Sequence, residues 1–214
     1  MKSSLIRPAL ALALAAGLAG CGGSDKAEFV VKGTITGIVY PGAVLQTNGM
    51  EIAIAPPATP RAPVTFAFPN KLEYGDVYNV TFKSFPNNQR CGRPTSAIYD
   101  NHTDTAGRLE DIAITLECAV IPYAVGGKVN GLTADGLVLS NGSTGGTVSV
   151  PKPAAGVTTP IEFVFQDPVE FGVSYGVTVL TQPTGQVCTV ANGTDVMKAA
   201  NVTNIEVTCV AAPS

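Results

Sequence analysis

The chain has 214 residues, with 13 Lys and Arg against 16 Asp and Glu, a formal net charge of −3 and a single histidine. This mild, scattered acidity offers no basic patch to a phosphate backbone, which argues against nucleic acid as a partner. Tryptophan is absent, while 23 Gly and 16 Pro accompany abundant Thr, Val and Asn, a composition that favours strands and turns over helices.

In chain order, residues 1–20 come first and read as an export signal. Lys2 and Arg7 supply the charged head, Pro8 to Gly20 is an uninterrupted apolar and small-residue body, and Leu18-Ala19-Gly20 precedes Cys21. The apolar run falls short of the ~20 residues a membrane-spanning helix needs. Leu18-Ala19-Gly20-Cys21 resembles the lipobox of bacterial lipoproteins. The resemblance implies cleavage before Cys21, diacylglycerol on its sulfur and an acyl chain such as palmitate on its amine, and so a membrane partner through lipid on Cys21. Residues 21–28 then form a short lipidated tether. Gly22 and Gly23 stand where an inner-membrane retention signal would show Asp, so the expected location is the cell envelope, at the outer membrane.

The remainder repeats itself. Gly33-Thr34-Ile35-Thr36-Gly37-Ile38 matches Gly127-Lys128-Val129-Asn130-Gly131-Leu132, and Gly42-Ala43-Val44-Leu45 matches Gly136-Leu137-Val138-Leu139. Glu73-Tyr74-Gly75 matches Glu170-Phe171-Gly172, Tyr78 to Phe82 matches Tyr175 to Val179, and Cys91 and Cys118 match Cys188 and Cys209. The order never changes. This predicts one unit over 29–119, a short proline-bearing linker over 120–125 and a second unit over 126–211.

Within each unit the apolar period is two. Ile112, Ile114, Leu116 and Cys118 alternate with Ala113, Thr115 and Glu117, and Ile205, Val207 and Cys209 alternate with Glu206 and Thr208. Only a turn near Arg108–Asp111 departs from strand patterning. Six or seven short strands per unit, broken by Gly, Asn, Asp and Pro, predict an all-β chain of two tandem sandwiches whose stacked sheets close each core. Units this small are marginal without a staple. Four cysteines allow three pairings, and the repeat selects the local ones, Cys91 with Cys118 and Cys188 with Cys209, because each copy should be self-sufficient. Such bridges belong to an oxidising compartment.

The second unit also resembles a known repeat. Its Gly136-Leu137-Val138-Leu139-Ser140-Asn141-Gly142, Gln182-Pro183-Thr184-Gly185-Gln186-Val187-Cys188 and Asn201 to Cys209 are similar to tandem repeats of proteobacterial surface lipoproteins. The resemblance implies an immunoglobulin-like or carboxypeptidase-regulatory-like sandwich and little about function. The first unit departs from it, with Ser84-Phe85-Pro86-Asn87-Asn88-Gln89 in place of Thr181 to Gln186, and Arg90 directly before its cysteine.

Candidate chemistry is sparse. His102 lies between Asp100 and Asp104, but zinc wants more His or Cys and calcium wants a longer set of oxygen donors than Asp100, Asn101 and Asp104. With no second histidine, a nucleophilic triad has no base but His102. Glu73 and Glu170 could serve as a glycosidase pair, yet their recurrence in the two copies fits a turn role. Asn-x-Ser/Thr triplets begin at Asn79, Asn101, Asn141, Asn192 and Asn201, as expected by chance in a Thr-rich chain. The proline-rich Pro56–Pro63 and Pro151–Gly156 stretches read as rigid loops that blunt an edge. The expectation is a non-enzymatic protein without cofactor or metal, with a structural, adhesive or interaction role toward a surface protein or glycan. The alternative is a carbohydrate or small-ligand module, for which Tyr40, Phe85, Tyr99 and Tyr123 are the aromatics outside the core periodicity.

Overall fold

The computed structural model describes residues 26–97, 101–142, 145–156 and 160–213. The expected signal peptide, Cys21 and most of the tether therefore lie outside the described residues, as do Tyr99 and Asp100.

Nine strands form the first module: β1 (Glu28–Thr36), β2 (Ala43–Thr47), β3 (Met50–Ile54), β4 (Val64–Glu73), β5 (Val77–Asn79), β6 (Thr81–Ser84), β7 (Gln89–Gly92), β8 (Thr103–Thr105) and β9 (Ile112–Val120). A short strand, β10 (Pro122–Tyr123), follows. The second module contains β11 (Val125–Asn130), β12 (Leu137–Asn141), β13 (Thr147–Val150), β14 (Ile161–Val164), β15 (Val169–Glu170), β16 (Ser174–Thr181), β17 (Gln186–Ala191), β18 (Thr194–Val196) and β19 (Val202–Ala211).

Each module stacks two layers. One is a four-stranded sheet, ordered β4-β1-β9-β7 in the first and β14-β11-β19-β17 in the second. The other is β3-β2-β6 with the β5-β8 pair in the first, and β13-β12-β16-β18 in the second. Between β5 and β6 the N–H of Val80 turns to the carbonyl of His102 at 2.8 Å. The equivalent Val177 donates to Gly193 at 2.8 Å. The first and last strands of each module, β1 with β9 and β11 with β19, lie side by side and parallel.

Alternation makes the two cores. In β9, Ile112, Ile114, Leu116, Cys118 and Val120 point inward and the residues between them are exposed. Ile205, Val207 and Cys209 do the same in β19. The buried side chains form two separate clusters, one built around Ile35, Leu45, Phe66 and Ile114, the other around Val129, Leu139, Phe163 and Val207. Phe66–Phe68 and Phe163–Phe165 repeat the same edge-to-face contact, with centroids 6.0 Å apart in each. Both disulfides are local and cross-strand: Cys91–Cys118 ties β7 to β9 and Cys188–Cys209 ties β17 to β19, each with Cα atoms 4.0 Å apart. The chain is thus two similar disulfide-stapled β modules.

Candidate functional site

The residues nominated for chemistry do not converge. Glu73 and Glu170 sit in different modules, each the last residue of its strand and each in an ion pair, Glu73 with Lys26 and Glu170 with Arg61. Around β8 the polar groups are engaged in holding their own loop. The amide of Asn101 donates to the carbonyl of Ala113 at 2.6 Å, and Asp104 accepts from the N–H of Thr105 and from Arg108. Among the described residues no group of three or more His, Cys, Asp and Glu could hold a metal ion. The aromatics expected to mark a ligand platform each have a contact of their own among the described residues. Tyr40 is at the module junction, Phe85 stacks on Phe82, and Tyr123 in β10 packs against the second core. A shallow cleft of about 390 Å³, lined by Asn141, Glu170, Val173 and Ser174 among others, lies beside the junction.

What the structure does bring together is the junction itself. The segment after β9 is not a free linker. Ile121 donates its N–H to Asn88 of the first module at 2.9 Å and accepts from Phe171 of the second at 3.1 Å. β10 then pairs antiparallel with β15, Pro122 opposite Glu170 and Tyr123 opposite Val169. Ala124 N–H is held by the Asn201 side chain at 3.0 Å.

Side chains close over this backbone contact. The Tyr40 ring meets Phe171 edge-on, with centroids 5.4 Å apart and planes at 75°, and its hydroxyl donates to the Phe171 carbonyl at 3.0 Å. An edge-to-face pair of this kind contributes about 0.5–1.5 kcal/mol beyond its buried area. Gly172, at φ +81°, leaves room for the phenol: a Cβ there would lie 2.5 Å from the Tyr40 oxygen. Arg61 reaches Glu170 from the proline-rich loop, and it does so from a left-handed backbone at φ 67°. Non-glycine residues adopt that region at a cost, and surrounding structure holds them there. Here the holder is its own backbone, Arg61 N–H to the Ile38 carbonyl at 3.1 Å. Both charged groups are half exposed, so the pair itself contributes no more than about 1 kcal/mol.

A buried glutamine in each module holds the loop after the first strand, and in the first module that loop carries Tyr40 to the junction. Gln89 Oε1 accepts from the N–H groups of Val39 and Tyr40 at 2.8 and 2.9 Å, and its Nε2 donates to the Gly37 carbonyl at 2.8 Å. Gln186 makes the same three bonds to Thr133, Ala134 and Gly131. In the sequence both glutamines read only as loop residues, which misses this role. The available signal was their recurrence two positions before each cysteine.

No family model matches the chain, and no curated protein matches it. Two solved structures that match are major pilin proteins of Streptococcus pyogenes. For the T3.2 pilin the identity is 12%, with 87% of this chain and 97% of the other covered, at a TM-score of 0.31. For the T-13 pilin the identity is 9%, with 86% and 97% covered, at a TM-score of 0.30. A superposition this loose transfers neither partner nor assembly to this chain.

The comparisons correct the expected resemblance. They return pilins of a Gram-positive species and not proteobacterial surface lipoproteins. The identification as a lipoprotein repeat, the membrane partner through lipid on Cys21, the palmitate and the outer-membrane location are withdrawn with it. The physical reason lies in what the quoted motifs do. Gly131, Gln186, Cys188 and Cys209 are turn, clamp and bridge positions that the first module also fills, so they report a stapled sandwich and not a family. The Leu18–Cys21 motif spans four residues, all of them outside the described residues.

Proposed function

We propose that this is a non-enzymatic structural or adhesive protein in which two β modules act as one rigid unit, holding the loops at its two ends at a fixed separation for contact with other macromolecules in an oxidising compartment. The observation that carries this reading is the junction: a half-buried aromatic contact and an ion pair span the two modules, and the segment between them is paired with the second module and bonded to the first. Domains joined by a bare linker rotate freely by default. Here the linker is engaged in hydrogen bonds to both sides. The two disulfides support the compartment, since cross-strand bridges persist where thiols are oxidised.

Small-angle scattering of residues 26–214 tests rigidity. The expected result is one narrow distribution of inter-module distances for the wild type, and a broadened one for Tyr40→Ala with the secondary structure unchanged. A wild type that already samples many separations would end this reading.

A further inference from the structure

The four-stranded sheet of each module ends on the strand that carries the disulfide, β7 or β17. Register fixes where the free backbone groups of these edges point. Ile121 N–H donates to the Asn88 carbonyl, and Ala212 N–H to the Gly185 carbonyl, each at 2.9 Å. These bonds lie just outside the pairs Gln89–Val120 and Gln186–Ala211. Antiparallel ladders alternate, so Cys91–Cys118 and Cys188–Cys209 are both non-hydrogen-bonded pairs. The N–H and C=O of Cys91 and of Cys188 therefore point outward, off the edge of the sheet.

The two modules treat that edge differently. In the second, one side chain covers it: Gln182 Oε1 accepts from Cys188 N–H at 2.7 Å, and Gln182 Nε2 donates to the Cys188 carbonyl at 3.1 Å. A carboxamide is a peptide group in miniature, and here it stands in for one residue of a neighbouring strand. In the first module the same position is Phe85, since Ser84 faces Val44 as Thr181 faces Val138. Phenylalanine has neither donor nor acceptor. Its ring stacks on Phe82, with centroids 5.0 Å apart and planes 20° off parallel, and stays 54% exposed. Among the described residues no group takes the outward N–H and C=O of Cys91, and Cys91 is half-buried where Cys188 is buried.

We propose that the β7 edge of the first module receives an extended strand from a partner protein, with one peptide amide of that strand on Cys91 in the place Gln182 takes on Cys188, and an apolar side chain resting on Phe85. Strand addition of this kind draws affinity from main-chain bonds and preference from side-chain seats. The occupant is an amide because the second module shows the same backbone groups satisfied by one. The neighbouring side chain is apolar because Phe85 offers an exposed ring and no polar atom. The inference rests on the interaction role proposed above and adds where the contact is made and by what chemistry.

Amide NMR of the isotope-labelled chain tests it, with a blocked hexapeptide of alternating Val and Thr as the probe. Peptide should shift signals at Gln89–Gly92 and Phe85 and leave the second module unchanged. Without peptide, the Cys91 amide should exchange with solvent much faster than that of Cys188. Phe85→Gln, which copies the second module, should slow Cys91 exchange toward the Cys188 rate and weaken peptide binding about tenfold or more, the loss of roughly one good interaction. Gln182→Leu should do the reverse, opening β17 and creating new peptide shifts at Val187–Thr189. Absence of β7 shifts at millimolar peptide, or equal binding by Phe85→Gln, would overturn the proposal. So would a concentration-dependent dimer that Phe85→Gln abolishes, since the edge would then belong to a second copy. Failure here leaves the scattering result untouched, so the rigid-unit reading stands or falls separately.

Discussion

At the scale of single residues, a few buried polar groups hold the loops to the sheets. Gln186 is 8% exposed and satisfies two N–H groups and one carbonyl of the loop after β11. Leucine in its place fills the volume but leaves those three groups unpaired, at about 1–3 kcal/mol for each one that stays buried. Urea denaturation of Gln186→Leu should therefore show a loss of about 3 kcal/mol, relieved to some extent as the loop moves toward water. The two core tyrosines tie stability to alkaline pH. Burial pushes the hydroxyls of Tyr78 and Tyr175 above their ordinary value of 10.0, and the carboxylates of Asp104 and Asp195 add to the effect. A group whose folded pKa is raised contributes stability that is complete below its unfolded pKa and disappears as pH climbs through the folded one. The fold should thus keep its full stability to about pH 10 and weaken above it. Tyr78→Phe/Tyr175→Phe should flatten that alkaline decline in thermal melts run from about pH 8 to about pH 11. Gln186 and its counterpart Gln89 are in plain view in the sequence, but glutamine carries no periodic signal, and its three bonds connect segments about fifty residues apart.

At the scale of elements, the strands legible from sequence are those with one wet face. β9 and β19 alternate cleanly because one side of each meets the core and the other meets water, so the pattern alone places both cysteines on the inner face. The bridges then follow from the repeat, and they form within each module. Their sequence separations of 27 and 21 residues correspond to about 3–4 kcal/mol each in the chain-entropy picture. Cys188→Ala/Cys209→Ala should lose stability of that order in the second module alone. Two urea transitions, the lower one reporting the second core, would show it. β5 and β6 are harder to read, since Val80 between them bonds a carbonyl on a distant loop, a contact with no local signal. The edge difference is half legible. Phe85 in place of Gln182 is visible as a departure between the copies, but only the register shows that the glutamine covers a strand edge.

At the scale of the whole molecule, the duplication is the clearest message in the sequence and the junction the least clear. Tyr40 corresponds to Ala134 in the second copy, so repetition could not flag it, and its partners Phe171 and Gly172 lie more than a hundred residues away. The distant likeness implied by short motifs failed for a related reason: positions that every stapled sandwich must fill say little about descent. Two copies, one aromatic latch and a linker drawn into strand pairing make a unit whose pieces are individually ordinary and whose relative placement is the informative feature.

The parallel pairing of the first and last strands in each module has a mechanical consequence. A pull on the two ends of the chain loads β1 against β9, and β11 against β19, along their length, so the bonds of each ladder share the force and give way together rather than in succession. Once a module yields, its bridge still withholds the loop it closes from extension. Single-molecule stretching should therefore show two high-force events, and added reductant should lengthen them by about 90 Å and about 70 Å, the reach of the 27- and 21-residue loops at ~3.4 Å per residue. Equal lengths with and without reductant would mean that the force path bypasses the bridges.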